Sequence, residues 1–540
     1  MDTNSKKETF MQGVLALMFS QVIIKILGLI YSIYLTNREG FGDTGNAIYM
    51  SGYQIYALLL TISSIGVPNA ISKLIAEKLA KEDKRGADRI FKIAFFTFAI
   101  IGFIGTMMLF FGARFISNVL LQIPEAEYTL IALSPAIFFV SISSVVRGYF
   151  NGKQQMSLTA KSQTFEQIFK TTLTIILVEI VAISSGINTK LMAAGANLAT
   201  TFATFLSFSY IFALCQKERS KERKEILISN ETTKDSVKII IKRILGVSIP
   251  ISISSLLSAV NKNIDSLTVV RILKPALGEA VAKAKYGILS SKVDVLTSLP
   301  LAFNIAFATA LVPAIASARV KNDTETINKR LYFSILITIL IGLPCTVGMA
   351  MYSEQILRLL FPNASAGGIL LQISAITIIF TVLAQTINGA LQGLGKIKVP
   401  AIALGCGVLT KLITNIVLIP IEGIYENGAA IGSVLCHIVS FTIVYTVLKK
   451  TVKLEFRISK MMIKPILATI IMCIISYPTY IIVFNILAKE RLATILGIII
   501  AVIIYIISVI ILKVLSKEDI YMLPKGEKLY NFLKKVKIYT

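Results

Sequence analysis

Lys161–Leu177 reads KSQTFEQIFKTTLTIIL, and it begins as a polar helix and ends as a membrane span. On a helical wheel Gln163, Glu166, Gln167, Lys170 and Thr174 share one face, at the three-and-four spacing of successive turns. Phe165, Ile168, Phe169 and Leu173 take the opposite face. The apolar run after Lys170 places its ammonium within the thickness of a bilayer. A charge there costs about 2.5–3.5 kcal/mol on insertion scales, so it is expected to face a protein interior or a water-filled cavity. The stretch has an echo: laying Gly152 over Gly393 and Ala160 over Ala401 also lays Lys170 over Lys411, without a gap. Two intramembrane lysines at matching places predict two related halves.

The rest of the chain has the composition this demands. Of 540 residues, 55% are hydrophobic and 16% charged, and the mean hydropathy is +0.75. Apolar runs recur from Val14 nearly to Leu515, which defines an all-α polytopic membrane protein. The basic N-terminal MDTNSKKETF leads into a full-length span with no small-residue cleavage site, so no removable signal peptide is expected. Cys215, Cys345, Cys406, Cys436 and Cys473 stand singly in apolar surroundings and form neither a metal spacing nor a disulfide framework. His437 is the one histidine, which excludes His-based metal clusters and argues against Ser/His/Asp catalysis. The formal charge of +25 lies mostly in short loops, so it reads as a topology signal that meets anionic membrane lipids, not nucleic acid.

About 14 transmembrane helices are expected, near 11–36, 47–75, 91–112, 128–150, 162–184, 190–215, 244–270, 286–316, 331–352, 367–392, 397–421, 427–448, 462–487 and 492–515. With both termini cytoplasmic, the inner loops carry most lysines and arginines and the outer loops are sparse or acidic. Arg271–Lys285 is the exception: it is basic yet outside, and so either folds against the protein or touches substrate. The expected domains are an N-terminal six-helix lobe (1–215), a cytoplasmic interlobe linker (216–243), a C-terminal six-helix lobe (244–448), two additional helices (449–515) and a basic cytoplasmic tail (516–540). SSIGVPNAISKLIAE in the second span and FATALVPAIASARVK in the eighth support pseudo-symmetric lobes, with Pro68 set against Pro313.

Candidate site residues follow from charge at membrane depth. Lys25 lies mid-span on one face with Gln21, Gly28 and Ser32, two to three turns from either end, too deep to snorkel readily. The seventh span carries Ser258, Asn261, Lys262 and Asp265. The eighth aligns Ser291, Asp294 and Ser298, with Lys292 to the side. Lys411, near Thr414 and Asn415, is the cavity lysine of the second half. Lys73 and Arg147 belong nearer the cytoplasmic mouth, Arg147 as substrate contact or as topology anchor. Among the acids, Glu166 is four residues before Lys170 and is expected to pair with it. Asp265 and Asp294 pair with Lys262, Lys292 or Lys25, or bind a coupling cation or proton. Glu179, near an outer span end, is expected to be wetted.

The sum is a cavity richer in cations than anions, suited to an anionic substrate and to phosphates in particular. No GxxxxGK[ST] loop is present and no cofactor is implied, so the driving force is expected from the membrane potential, Na+ or H+. For a cargo of charge about −2 moved outward, 100 mV supplies roughly 4–5 kcal/mol.

KILGLIYSIYLT, NAIYMSGYQIYALLLTISSIGVPNAISKLIAE, SPAIFFVSISSVVRGYFNGKQQMSLTAKSQTFEQI and KVDVLTSLPLAFNIAFATALVPAIA together resemble the SpoVB/MurJ-type polysaccharide exporters of the multidrug/oligosaccharidyl-lipid/polysaccharide (MOP) flippase superfamily. The resemblance covers nearly the whole chain. It implies two six-helix lobes about a cationic cavity, with the last two helices forming a groove for a lipid tail. It also implies a flippase for undecaprenyl-pyrophosphate-linked sugars, typically the peptidoglycan precursor lipid II, working by alternating access in the bacterial cytoplasmic membrane. Cell-wall synthesis proteins become expected partners, in vegetative wall or sporulation. Lys25 falls where the family carries a basic residue in an SRILG-like motif, Lys73 follows the PN of the second span, and Asp294 matches the acid of an Asp-Arg pair. Tyr31-Ser32 stands where the better-known branch has Arg-Asp, and Val295 where it has the second arginine; Lys262, Lys292 and Lys170 are the candidates to compensate. The alternatives are a Wzx-like exporter of other lipid-linked polysaccharide units and a MATE-type multidrug/cation antiporter, which would want an acid-dominated chamber. A glycosyltransferase would need a sizeable outer loop with catalytic acids or histidine, which the sequence lacks.

Overall fold

Long apolar stretches without water to bond their backbone must satisfy every N–H and C=O internally, and here they do so as helices. The computed structural model describes residues 10–64, 66–222, 236–454, 456–522 and 526–535, and within them every regular element is helical. Among the described residues, thirteen helices are long and apolar enough to cross a membrane. The expected seventh span is the 41-residue helix Val237–Leu277, whose middle carries Lys262 and Asp265. Residues 223–235 of the expected linker, and Lys525 and Lys537 of the tail, lie outside the described residues.

The chain divides into two compact units, Met1–Leu296 with Lys411–Ala429, and Thr297–Thr410 with Ala430–Thr540. The first contains α1 (Phe10–Asn37), α2 (Gly42–Ser64), α3 (Gly66–Leu79), α4 (Lys84–Phe115), α5 (Ala126–Gly152), α6 (Met156–Ser185), α7 (Thr189–Lys221), α8 (Val237–Leu277) and α9 (Glu279–Gly287). A π-helical turn, Ile288–Val293, joins α9 to α10 (Asp294–Val320). The second holds most of α10, then α11 (Thr324–Met351), α12 (Ser353–Leu360), α13 (Gly368–Gly393) and the start of α14 (Val399–Leu418). It continues through α15 (Asn427–Thr451), α16 (Ile458–Leu487), α17 (Glu490–Ile511), α18 (Lys517–Tyr521) and α19 (Gly526–Lys535).

The repeat is visible in how each unit packs. In the first, Gly148 and Gly152 let α5 lie against α3: a Cβ on Gly148 would sit 2.9 Å from the Pro68 carbonyl oxygen, and one on Gly152 2.9 Å from that of Ser72. In the second, Gly389 and Gly393 bring α13 onto α10 in the same way, Gly389 against the Ala308 carbonyl and Gly393 with its Cβ position 2.7 Å from that of Val312. Ile75 and Ile315 fill equivalent places beside Gly152 and Gly393. This register pairs Pro68 with Ala308, which corrects the alignment of Pro68 with Pro313. The turns that follow agree. Glu82 and Asn322 have positive φ (58° and 53°), and Asp83 and Asp323 then cap α4 and α11, each accepting from a backbone N–H three residues on.

Candidate functional site

The middle of α8 anchors the site. Asp265 accepts from Lys411 Nζ at 2.6 Å through Oδ2 and from Asn415 Nδ2 at 3.0 Å through Oδ1. Lys411 also donates to the Asn261 carbonyl at 3.0 Å, and Asn415 to Thr268 Oγ1 at 3.0 Å. Lys411 is 2% and Asp265 5% exposed. A pair so enclosed and hydrogen-bonded is a neutral, locked unit, so Lys411 is committed to Asp265 rather than standing open in a cavity.

Asp294, at the first turn of α10, interacts electrostatically with Lys262, Asp265, Lys411 and Lys25. Lys25, half-buried on α1, in turn senses Lys262 and Asp294. Lys262 sits one step off the Asp265 face of α8 and is exposed. Lys25, Lys262, Asp265, Asp294 and Lys411 therefore form one cluster of three cations and two anions. Once the Lys411–Asp265 pair is set aside, Asp294 faces two lysines, and the cluster keeps a surplus positive charge.

A second cationic centre lies on α6. Lys170 is 4% exposed, its Nζ 3.9 Å from the centre of the Tyr53 ring and 5.3 Å from that of Tyr31. Tyr49 completes the wall, stacked on Tyr53 (5.9 Å, 11°) and edge-on to Tyr31 (6.4 Å). Ring faces offer a cation an attraction of about 2 kcal/mol when desolvated, without neutralising it. No carboxylate among the described residues lies within ion-pair distance of Lys170.

Glu166 does not pair with Lys170, contrary to expectation. It takes Arg147 at 2.7 Å, and the same Arg147 nitrogen donates to Ser162 and Ser207 Oγ at 3.2 Å. Arg147 is thereby a buried brace between α5, α6 and α7, neither a loop anchor nor an open substrate contact. Helix periodicity put Glu166 and Lys170 on one face correctly; it carried no information about a cation arriving from another helix.

Three further residues also stand apart from the cluster. Lys292 is fully buried and bound to Asp43 at 2.8 Å, where α2 begins. Lys73 is exposed and only 3.9 Å from Glu77. Glu179 is held by Tyr34 and by Arg38 at 2.8 Å, not merely wetted. The basic segment Arg271–Lys285 folds against the protein: Lys274 pairs with Glu279 at 2.7 Å, Lys283 with Glu125 and Glu279 at 2.6 Å, and Lys285 with Glu426 at 2.6 Å. The residues that sequence reading missed are Tyr49 and Tyr53. Their signal is the spacing of Tyr49, Tyr53 and Tyr56, successive turns of one face of α2.

In the second unit an apolar cavity of about 450 Å³ opens between α10, α11, α16 and α17. Pro300, Phe303, Pro344, Met472, Ile498 and Tyr505 line it, and the Tyr505 hydroxyl is tied to the Leu340 carbonyl at 3.0 Å.

Many spans with buried charge at membrane depth define a multi-pass membrane transporter. The chain belongs to the polysaccharide biosynthesis protein family, whose model matches residues 10–319, within the MOP superfamily; the MatE family model matches 250–417. It is 27% identical over 455 residues to stage V sporulation protein B of Bacillus subtilis (strain 168), covering 83% of this chain and 86% of that protein. It is 25% identical over 467 residues to the lipid II flippase MurJ of the same organism, covering 83% and 84%. Among solved structures it resembles lipid II flippase MurJ in its inward closed conformation, with a TM-score of 0.66 at 17% identity over 92% of this chain and 98% of that one. MurJ is named as a flippase, and the chain is likewise a membrane flippase or transporter of this superfamily, not an enzyme.

Proposed function

We propose that the protein flips an undecaprenyl-pyrophosphate-linked cell-wall precursor, lipid II, from the inner to the outer leaflet of the bacterial cytoplasmic membrane, with both termini cytoplasmic. The observation that carries this reading is Lys170, a buried cation against aromatic rings with no carboxylate partner among the described residues, in the same unit as the Lys25–Lys262–Asp294 cluster. Positive charge kept unneutralised at depth is costly and suits a cargo that brings phosphate charge with it. The apolar cavity of about 450 Å³ suits part of a prenyl chain. The lobes 1–215 and 244–448 would alternate access, with 449–515 holding the tail.

Asp294 is the acid for coupling to Na+ or H+, since Asp265 is already committed to Lys411. That commitment also weighs against the MATE-type antiporter, which the MatE match keeps as the second reading. The test is complementation: cells depleted of their own lipid II flippase should resume wall synthesis when given this protein. If they lyse while the protein is present in the membrane, and cells lacking a capsule or teichoic-acid exporter are rescued instead, the cargo is another lipid-linked unit.

A further inference from the structure

A second cavity in the Thr297–Thr410/Ala430–Thr540 unit has a different character. It measures about 520 Å³ and is lined by Tyr332, Phe456, Arg457, Lys460 and Lys464 above an apolar floor that includes Met461 and Val514. Three basic side chains thus surround one concavity. Lys464 spends one donor on the Lys513 carbonyl at 2.9 Å, and Arg457 and Lys460 are exposed. Among the described residues no carboxylate pairs with any of the three. Asp519, which interacts with Tyr332, is buried and occupied in capping α18, where it accepts from Ser516 N and Oγ at 2.9 and 2.7 Å. Tyr332 and Phe456 meet edge to face at 5.5 Å and form one wall.

From Lys460 onward the same helix carries Ile463, Leu467, Ile470 and Ile474, all exposed and spaced to form one apolar track along α16. Cations at the head of an apolar track match a phosphodiester followed by acyl chains; a free phosphate would use only the first part.

We infer that Arg457, Lys460 and Lys464, with Tyr332, form a binding site for the phosphate of an anionic phospholipid whose acyl chain lies along the Ile463–Ile474 face of α16. Basic residues at a membrane surface attract anionic headgroups, and Arg457 adds the bidentate geometry suited to a phosphate. The site is independent of the transported cargo and would remain if the cargo were another lipid-linked unit.

The experiment uses the full chain in detergent. Retention of phosphatidylglycerol is read by native mass spectrometry, beside phosphatidylcholine and soluble glycerol 3-phosphate. The expected result is retention of phosphatidylglycerol over phosphatidylcholine, no displacement by glycerol 3-phosphate, and loss of roughly tenfold in retention in Arg457→Gln/Lys460→Gln. Lys449→Gln/Lys450→Gln, which removes the same charge outside the cavity, should retain the lipid. Equal retention of both lipids, displacement by glycerol 3-phosphate, or equal loss in the two double variants overturns the assignment. Should the double variant fail to fold, Lys460→Gln alone, an exposed side chain, is read against Lys450→Gln on the same terms.

Discussion

Glu166 binds Arg147 at 2.7 Å, and that choice of partner leaves Lys170, one turn further along α6, with no carboxylate at ion-pair distance among the described residues. The pair fastens α6 to α5, while Ser162 and Ser207 bring in α7. Lys170 then lies against the rings of Tyr31 and Tyr53, with Tyr49 beside them. Tyr31 is thus part of the wall around Lys170.

Replacing Lys170 by Met should therefore separate transport from stability. Removing a buried, unpaired charge leaves the melting temperature unchanged or raised, while lipid II exposure falls roughly tenfold or more, the loss expected for one desolvated phosphate contact. Thermal unfolding in detergent and a leaflet-exposure assay read the two effects.

Glu166→Gln should do the opposite. It strands the Arg147 guanidinium in the protein interior and destabilises by about 2–3 kcal/mol, less than for a fully enclosed pair because Glu166 is partly exposed. Arg147→Met on that background should recover part of the loss. A double-mutant cycle on unfolding midpoints checks this; independent, additive effects would show that the pair does not brace the helices.

Lys411→Met leaves Asp265 as a buried carboxylate with only Asn415 beside it, and should cost about 3–5 kcal/mol. Asp265→Asn together with Lys411→Met should be far milder. If Lys411→Met instead preserves stability and abolishes only transport, Lys411 is an open cavity lysine after all.

Gly348 lines the apolar cavity, and a Cβ there meets no atom within 4 Å. Gly348→Phe should fill the cavity without a clash. Transport of cargo on a long prenyl chain should fall, transport of a short-chain analogue should persist, and the melting temperature should hold. Equal transport of both by the variant would remove the cavity from the account.

Much of the fold was legible because a membrane span writes itself in length and apolarity, which the helices from α4 to α17 follow closely. The repeat was legible through Gly152 and Gly393, which pack alike in the two units. Its detailed register was not, because Pro68 resembles Pro313 in type while the packing sets it against Ala308. The site was half legible. Periodicity put Asn261 and Asp265 on one face and singled out Lys25 and Lys170, but pairing depends on which helix arrives opposite. Lys292 with Asp43, Arg147 with Glu166, and Lys170 among Tyr31, Tyr49 and Tyr53 are all long-range choices that spacing along one helix does not encode.

In the proposed function, unneutralised lysine charge in the first unit recognises the cargo's pyrophosphate. This recognition is tested most directly by flipping in proteoliposomes with two cargoes, prenyl-pyrophosphate-linked sugar and the same lipid-linked sugar without phosphate. The wild-type protein should move the pyrophosphate form and largely ignore the neutral one, and Lys170→Met should erase most of that difference. Equal movement of both cargoes by the wild-type protein, or an undiminished preference in Lys170→Met, would contradict it.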